Sequence, residues 1–76
     1  NPFSHAVMVT VGWMKNEKAT ITIMDMAGRV MLKRPVSLQK GINTISLTGL
    51  SNLRPGSYWL RLTTSEGVEN VRLMRQ

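Results

Sequence analysis

The sequence predicts an all-β fold, a β-sandwich of about seven short, mainly antiparallel strands. Three observations lead there. In most segments apolar residues recur at every second position, the period of a half-buried strand. Gly, Pro, Asn and Asp punctuate the chain at short intervals, as turns require. No segment carries the apolar spacing of an amphipathic helix.

Residues 20–33 organise the chain. Ile21 and Ile23 alternate with Thr20 and Thr22, then Val30 and Leu32 alternate with Met31 and Lys33. Between them, Asp25-Met26-Ala27-Gly28 has the chemistry of a type I turn. The Asp25 carboxylate can accept a backbone N–H two residues on, and Gly28 tolerates the left-handed conformation that returns the chain to a strand. The stretch is a β-hairpin.

In chain order, Asn1-Pro2 is a turn-like lead-in, because Pro2 lacks an N–H and pushes Asn1 into extended geometry. A strand over 5–13 places Val7, Val9, Val11 and Trp13 on one face and Met8, Thr10 and Gly12 on the other. Residues 14–18 form a polar loop, and 19–25 and 29–34 are the hairpin strands. Pro35 removes a ladder donor, so it interrupts the strand or sits at an edge; a short separate strand follows over 36–39. After a Lys40-Gly41 turn, the strand over 42–48 opposes Asn43, Ile45 and Leu47 to Ile42, Thr44 and Ser46. Residues 49–56 are a loop of turn-formers with Leu50 and Leu53 as apolar pegs. Strands over 57–65 and 68–75 flank a tight Glu66-Gly67 turn. The expected core is Val7, Val9, Val11, Ile21, Ile23, Val30, Leu32, Ile45, Leu47, Leu60 and Leu62.

The 76 residues make a single domain, 1–76. At this size it buries about 60–65% of the surface its unfolded chain exposes. With no cysteine, neither a disulfide nor a thiolate metal site can staple it. Ten Lys/Arg against four Asp/Glu give a net charge of +6, which favours anionic partners. The basic residues are spread along the chain rather than clustered, so keeping exposed strand faces and edges soluble is the better account of them. No apolar run approaches the ~18 residues of a membrane helix, and no signal-peptide pattern opens the chain. Starting at Asn1-Pro2 without Met, it is expected to be a fragment of a larger protein.

Catalytic and metal chemistry find no constellation. His5 is the only histidine and has no carboxylate at ligand spacing, so it reads as a surface residue. Glu66 and Glu69 flank the last hairpin, Asp25 is engaged by its turn, and Glu17 stands apart, which argues against a glycosidase-like pair. Ser and Thr lack a base to activate them. The expectation is no enzyme, no metal and no cofactor. Trp13 and Trp59 invite a sugar-stacking reading, with Trp59 on the outer face if Tyr58, Leu60 and Leu62 face the core. A Trp covering a sheet edge is the commoner use. Nucleic-acid binding asks for a basic stripe interleaved with aromatics. The tail offers Val71, Leu73 and Met74 between Arg72 and Arg75, so neither a nucleic-acid partner nor membrane insertion is expected.

The most specific local signal is Leu53-Arg54-Pro55-Gly56-Ser57-Tyr58. A Tyr just after a Pro-Gly turn, entering a late strand, fits a tyrosine corner, whose phenol bonds backbone a few residues upstream and pins a crossover between sheets.

The motifs also line up in order: Asn1-Pro2, the Asp25-x-x-Gly28-Arg29-Val30 hairpin, Gly41-x-Asn43-x-Ile45-Ser46-Leu47, Leu53-x-Pro55-Gly56-x-Tyr58, and the basic terminal strand 71–76. Together they cover essentially the whole chain, and they resemble the type A C-terminal sorting domain of the type IX secretion system of Bacteroidota. Arg72 and Arg75 stand where family members often have Lys, which keeps the charge but not the geometry.

The resemblance implies an immunoglobulin-like sandwich at the end of a larger secreted protein. It implies a non-catalytic address label that carries a covalently linked N-terminal cargo from the periplasm through the outer-membrane translocon to the cell surface or medium. A sortase-like surface peptidase then removes the domain and attaches the cargo, or the cargo is released. The residues expected to be read by the translocon are Gly56, Tyr58, Val71, Arg72, Leu73, Met74, Arg75 and Gln76. The competing reading is an accessory β-sandwich spacer or carbohydrate-binding module of an extracellular enzyme or adhesin.

Overall fold

Ile21 and Ile23 are fully buried, and the larger of two sheets is built outward from their strand. The computed structural model describes residues 2–3, 6–50 and 52–75. Its strands are β1 (Pro2–Phe3), β2 (Val7–Trp13), β3 (Glu17–Asp25), β4 (Val30–Leu38), β5 (Gly41–Leu47), β6 (Gly56–Thr64) and β7 (Gly67–Arg75). They form a five-stranded sheet, β1-β7-β6-β3-β4, and a two-stranded sheet, β2-β5. All pairings are antiparallel except the short β1–β7 pair. No helix occurs among the described residues.

The chain is all-β, as its alternation predicts. Val7, Leu47 and the partly buried Val9, Val11 and Ile45 of the small sheet pack against Ile21, Ile23, Leu38, Leu60, Leu62 and Leu73 of the large one. Leu50 and Leu53, the pegs of the 48–55 loop, are buried in the same core. Apolar contact between the two sheets therefore supplies the main driving force for folding.

Several expectations need correcting. The separate strands over 29–34 and 36–39 are one strand, β4, running through Pro35, which registers with Thr20. β4 is the outer strand of its sheet, and an edge strand tolerates a residue without a ladder donor. The count of seven is instead made up by β1. The strand expected from His5 begins at Val7, with Ala6 outside it, and His5 lies outside the described residues.

Val30, expected in the core, is 57% exposed. The β3–β4 register shifts between Ile23, opposite Leu32, and Met24, opposite Val30. Met31 is thus the extra residue of a bulge, and a one-residue shift turns Val30 to the other face.

The Asp25 turn has the expected chemistry. Gly28 N–H donates to the Asp25 carbonyl (3.0 Å) and Ala27 N–H to Asp25 Oδ1 (3.0 Å). Gly28 sits at φ 90°, in the region only glycine enters at low cost.

Candidate functional site

After β2 the chain changes sheet three times, over 14–16, 39–40 and 48–55. Each crossing is held by a polar side chain. At the first, Glu17 Oε1 accepts from Trp13 Nε1–H (2.6 Å), while Oε2 accepts from the Ser65 hydroxyl (2.5 Å) of the β6–β7 turn. The Ser65 bond, then those of Trp13 and the charge of Lys15, hold the Glu17 carboxyl below its usual range. At the second, Asn43 Oδ1 accepts from Gln39 N–H (2.8 Å) and Nδ2 donates to the carbonyls of Gln39 (2.9 Å), Gly41 (3.2 Å) and Val11 (3.3 Å). Asn16 Oδ1 accepts from Lys40 N–H beside it (2.8 Å). At the third, the Tyr58 hydroxyl donates to the Arg54 carbonyl (2.5 Å), which is the expected corner.

The hairpin motif works the same way. Asp25 Oδ1 accepts from Arg29 N–H (2.8 Å) and Oδ2 from Arg29 Nε–H (2.9 Å). The Arg29 side chain, then the backbone donors of Arg29 and Ala27, lower the Asp25 pKa. So the polar residues Asp25, Arg29, Asn43 and Tyr58 of the ordered motifs are occupied inside the fold. The signal in the sequence for the Asn43 role is a Gly-x-Asn at a strand start, where a short amide can bond the turn behind it.

Among the described residues, those expected to be read by the export machinery fall together on the β6–β7 pair, with the register Gly56 to Arg75, Tyr58 to Leu73, Trp59 to Arg72 and Leu60 to Val71. They divide by face. Tyr58 and Leu73 are 5% and 2% exposed, so in the folded domain they hold the pair together and present nothing outward. Gly56, at φ 146°, lets the chain enter β6 after the Pro55 turn. Val71 shares the inner face with Leu73 yet is 46% exposed, beside a groove of about 140 Å³ lined also by Val7, Met8 and Val9. Arg72 and Met74 are exposed on the outer face. Arg75 pairs through its backbone, and Gln76 lies outside the described residues.

The terminal edge is not open to its end. β1 pairs with Met74 and Arg75, so the stretch with β6 alone as neighbour is 67–73.

The outer face of the large sheet carries two adjacent crosswise rows. One runs Val30, Met24, Trp59, Arg72; the next runs Lys33, Thr22, Arg61, Asn70. Sequence alternation places Trp59 and Arg61 there side by side on β6, but only strand order brings Lys33 and Arg72 around them. Two hollows, of about 380 and 310 Å³, share Met24 and Arg61 as lining. Among the described residues no three His, Cys, Asp or Glu side chains come together as a metal site, and no helix is long and apolar enough to cross a membrane.

These pairings and the Tyr58 corner define a small two-sheet β domain whose polar motif residues serve its architecture. The family described as the secretion system C-terminal sorting domain matches residues 1–75, and the chain belongs to it. It is a type IX secretion sorting domain, a signal recognised by that system and directing export to the cell surface or extracellular space. No curated protein and no solved structure matches the chain.

Proposed function

We propose that this domain is the folded, non-catalytic address of a larger secreted protein whose cargo precedes it, read by the type IX translocon at the β6–β7 pair. The domain crosses the periplasm with its cargo and passes the outer membrane. A sortase-like surface peptidase then removes it, and the cargo is attached to the surface or released. The observation that carries the reading is the position of Arg72, exposed on a terminal strand whose 67–73 edge has no second neighbour among the described residues. A receptor strand can extend the sheet there by backbone pairing. Arg72 and Arg75 supply charge steering and fix the register, and Val71, Met74 and Gln76 complete the contact. Gly56, Tyr58 and Leu73 act by holding that strand in place.

The test is transfer of export. Residues 1–76 are fused to a periplasmic reporter in a strain with a working type IX system. The fusion is compared with a version lacking 71–76 and with Arg72→Ala/Arg75→Ala. The deletion also removes the buried Leu73, so the double substitution, checked for folding, carries the charge argument. The expected result is an intact fusion outside the cell and both variants retained. An intact fusion that stays periplasmic with an active reporter overturns the reading in favour of a spacer or carbohydrate-binding module.

A further inference from the structure

We infer that the outer face of the five-stranded sheet, centred on Trp59 and Met24 and ringed by Lys33, Arg61 and Arg72, is a docking surface for an acidic protein segment carrying an apolar side chain between its carboxylates. The inference rests on the export reading above and names the larger part of the surface that the receptor covers.

Both charge and shape on this face favour such a partner. Arg61 and Arg72 are diagonal neighbours across β6 and β7, about 7–8 Å apart at the backbone. Lys33 lies two strands from Arg61, about 9–10 Å away. Like charges at such spacing repel within the screening length of about 10 Å at 0.1 M salt. Among the described residues none of the three forms a salt bridge.

The four acids of the chain do not relieve them. Glu17 is taken by Trp13 and Ser65, and Glu66 pairs with Lys15. Glu69 registers with Leu62, on the inner phase of the sheet. Asp25 lines one hollow, but its carboxylate is bonded to Arg29. Among the described residues Arg61 makes a single side-chain bond, Nε–H to Asn70 Oδ1 at 3.2 Å, which orients its guanidinium across the face.

Between Lys33 and Arg61 the floor is the buried Thr22, and towards Arg72 it turns apolar with the buried Met24 and with Trp59. Trp59 is half-buried, and Met74 and Val30 are exposed beside it. Cation heads around an aromatic and aliphatic floor match a partner with carboxylates around an apolar residue. Guanidinium groups suit carboxylates in particular, since they can bond both oxygens.

The experiment uses the reporter fusion with substitutions outside the terminal strand, so its outcome is separable from that of the export test. Lys33→Glu/Arg61→Glu is compared with Lys40→Glu/Arg54→Glu, which changes net charge equally at exposed positions off this face. Lys33→Gln/Arg61→Gln serves if charge reversal impairs folding, which circular dichroism of the purified fusions reports. Export by the face variant should fall about tenfold or more while the control exports normally. Trp59→Ala should lower export in the same assay.

Normal export by the folded face variant overturns the proposal. So does an equal loss in the control, which would trace the effect to net charge. Loss of retention on a polygalacturonate column by the face variant, with export unchanged, overturns it in favour of an acidic-glycan face. Retention of the unsubstituted fusion overturns the export reading and this surface with it, and is told apart because no substitution is present.

Discussion

Tyr58 and the Arg54 carbonyl, four residues upstream, are joined by a 2.5 Å hydrogen bond that closes the crossing from β5 to β6. The ring is buried in the core, so the bond ties the loop to both sheets. Tyr58→Phe keeps the ring and deletes the donor. A loss of about 0.5–1.5 kcal/mol is expected in urea unfolding. An unchanged midpoint would show that the corner holds nothing.

Ile23 and Val30 stand within the same hairpin but on opposite faces. Ile23→Ala opens a cavity in the centre of the large sheet and should cost roughly 2–4 kcal/mol. Val30→Ala should stay within about 0.5 kcal/mol, the range of surface changes. Equal costs in thermal or urea unfolding would show that the bulge does not turn Val30 outward.

That contrast marks how far the sequence could be read. Period-two alternation put Val7, Ile21, Ile23, Leu47, Leu60 and Leu62 on the buried face, because a strand has only two faces to choose from. It misjudged Val30, because a bulge shifts phase without a local signature in Val30-Met31-Leu32. Pro35 was legible as an edge residue and not as a continuing one, since a broken strand and an edge strand explain the same missing donor. Tyr58 was legible because Pro55-Gly56 fixes its spacing. The Trp59, Arg61, Arg72 and Lys33 face was not, because those residues come from three strands whose order only the folded chain sets.

Asn43 bonds Gln39, Gly41 and Val11 through one side chain, linking the 39–40 crossing to β2. Asn43→Leu fits the strand but leaves these partners without the amide. A destabilisation of about 1–3 kcal/mol is expected, as for polar groups stripped of their partner. Asn43→Asp keeps the acceptor for Gln39 N–H and turns the donors into repelling oxygens, so it should be no better than the leucine variant in guanidinium unfolding. A fully stable Asn43→Asp domain would show that the donated bonds are idle.

Glu17 joins three segments, accepting from Trp13 at the end of β2 and from Ser65 in the β6–β7 turn while standing at the start of β3. Both bonds are stronger to the ionised carboxylate, and the Ser65 bond is the main cause of its lowered pKa. The sign follows from linkage. A carboxyl depressed in the folded state contributes stability that is fully present above its unfolded pKa, about 4.3 for Glu. That contribution is lost as pH falls through the lower folded value. Asp25, lowered by Arg29, acts in the same direction around the unfolded Asp value of about 3.9. Unfolding free energy should therefore decline below about pH 4. Glu17→Gln should be less stable at neutral pH and show a shallower acid decline, and Asp25→Asn should do the same. Trp13 fluorescence separates the two groups, because its indole donates to Glu17 and not to Asp25. In a Trp59→Phe background the folded domain should show an emission change whose midpoint lies below the ordinary Glu value. The change should vanish in Glu17→Gln and survive in Asp25→Asn. An emission profile that is flat with pH, or one that persists in Glu17→Gln, would show that the Trp13–Glu17 clasp does not close this end of the fold.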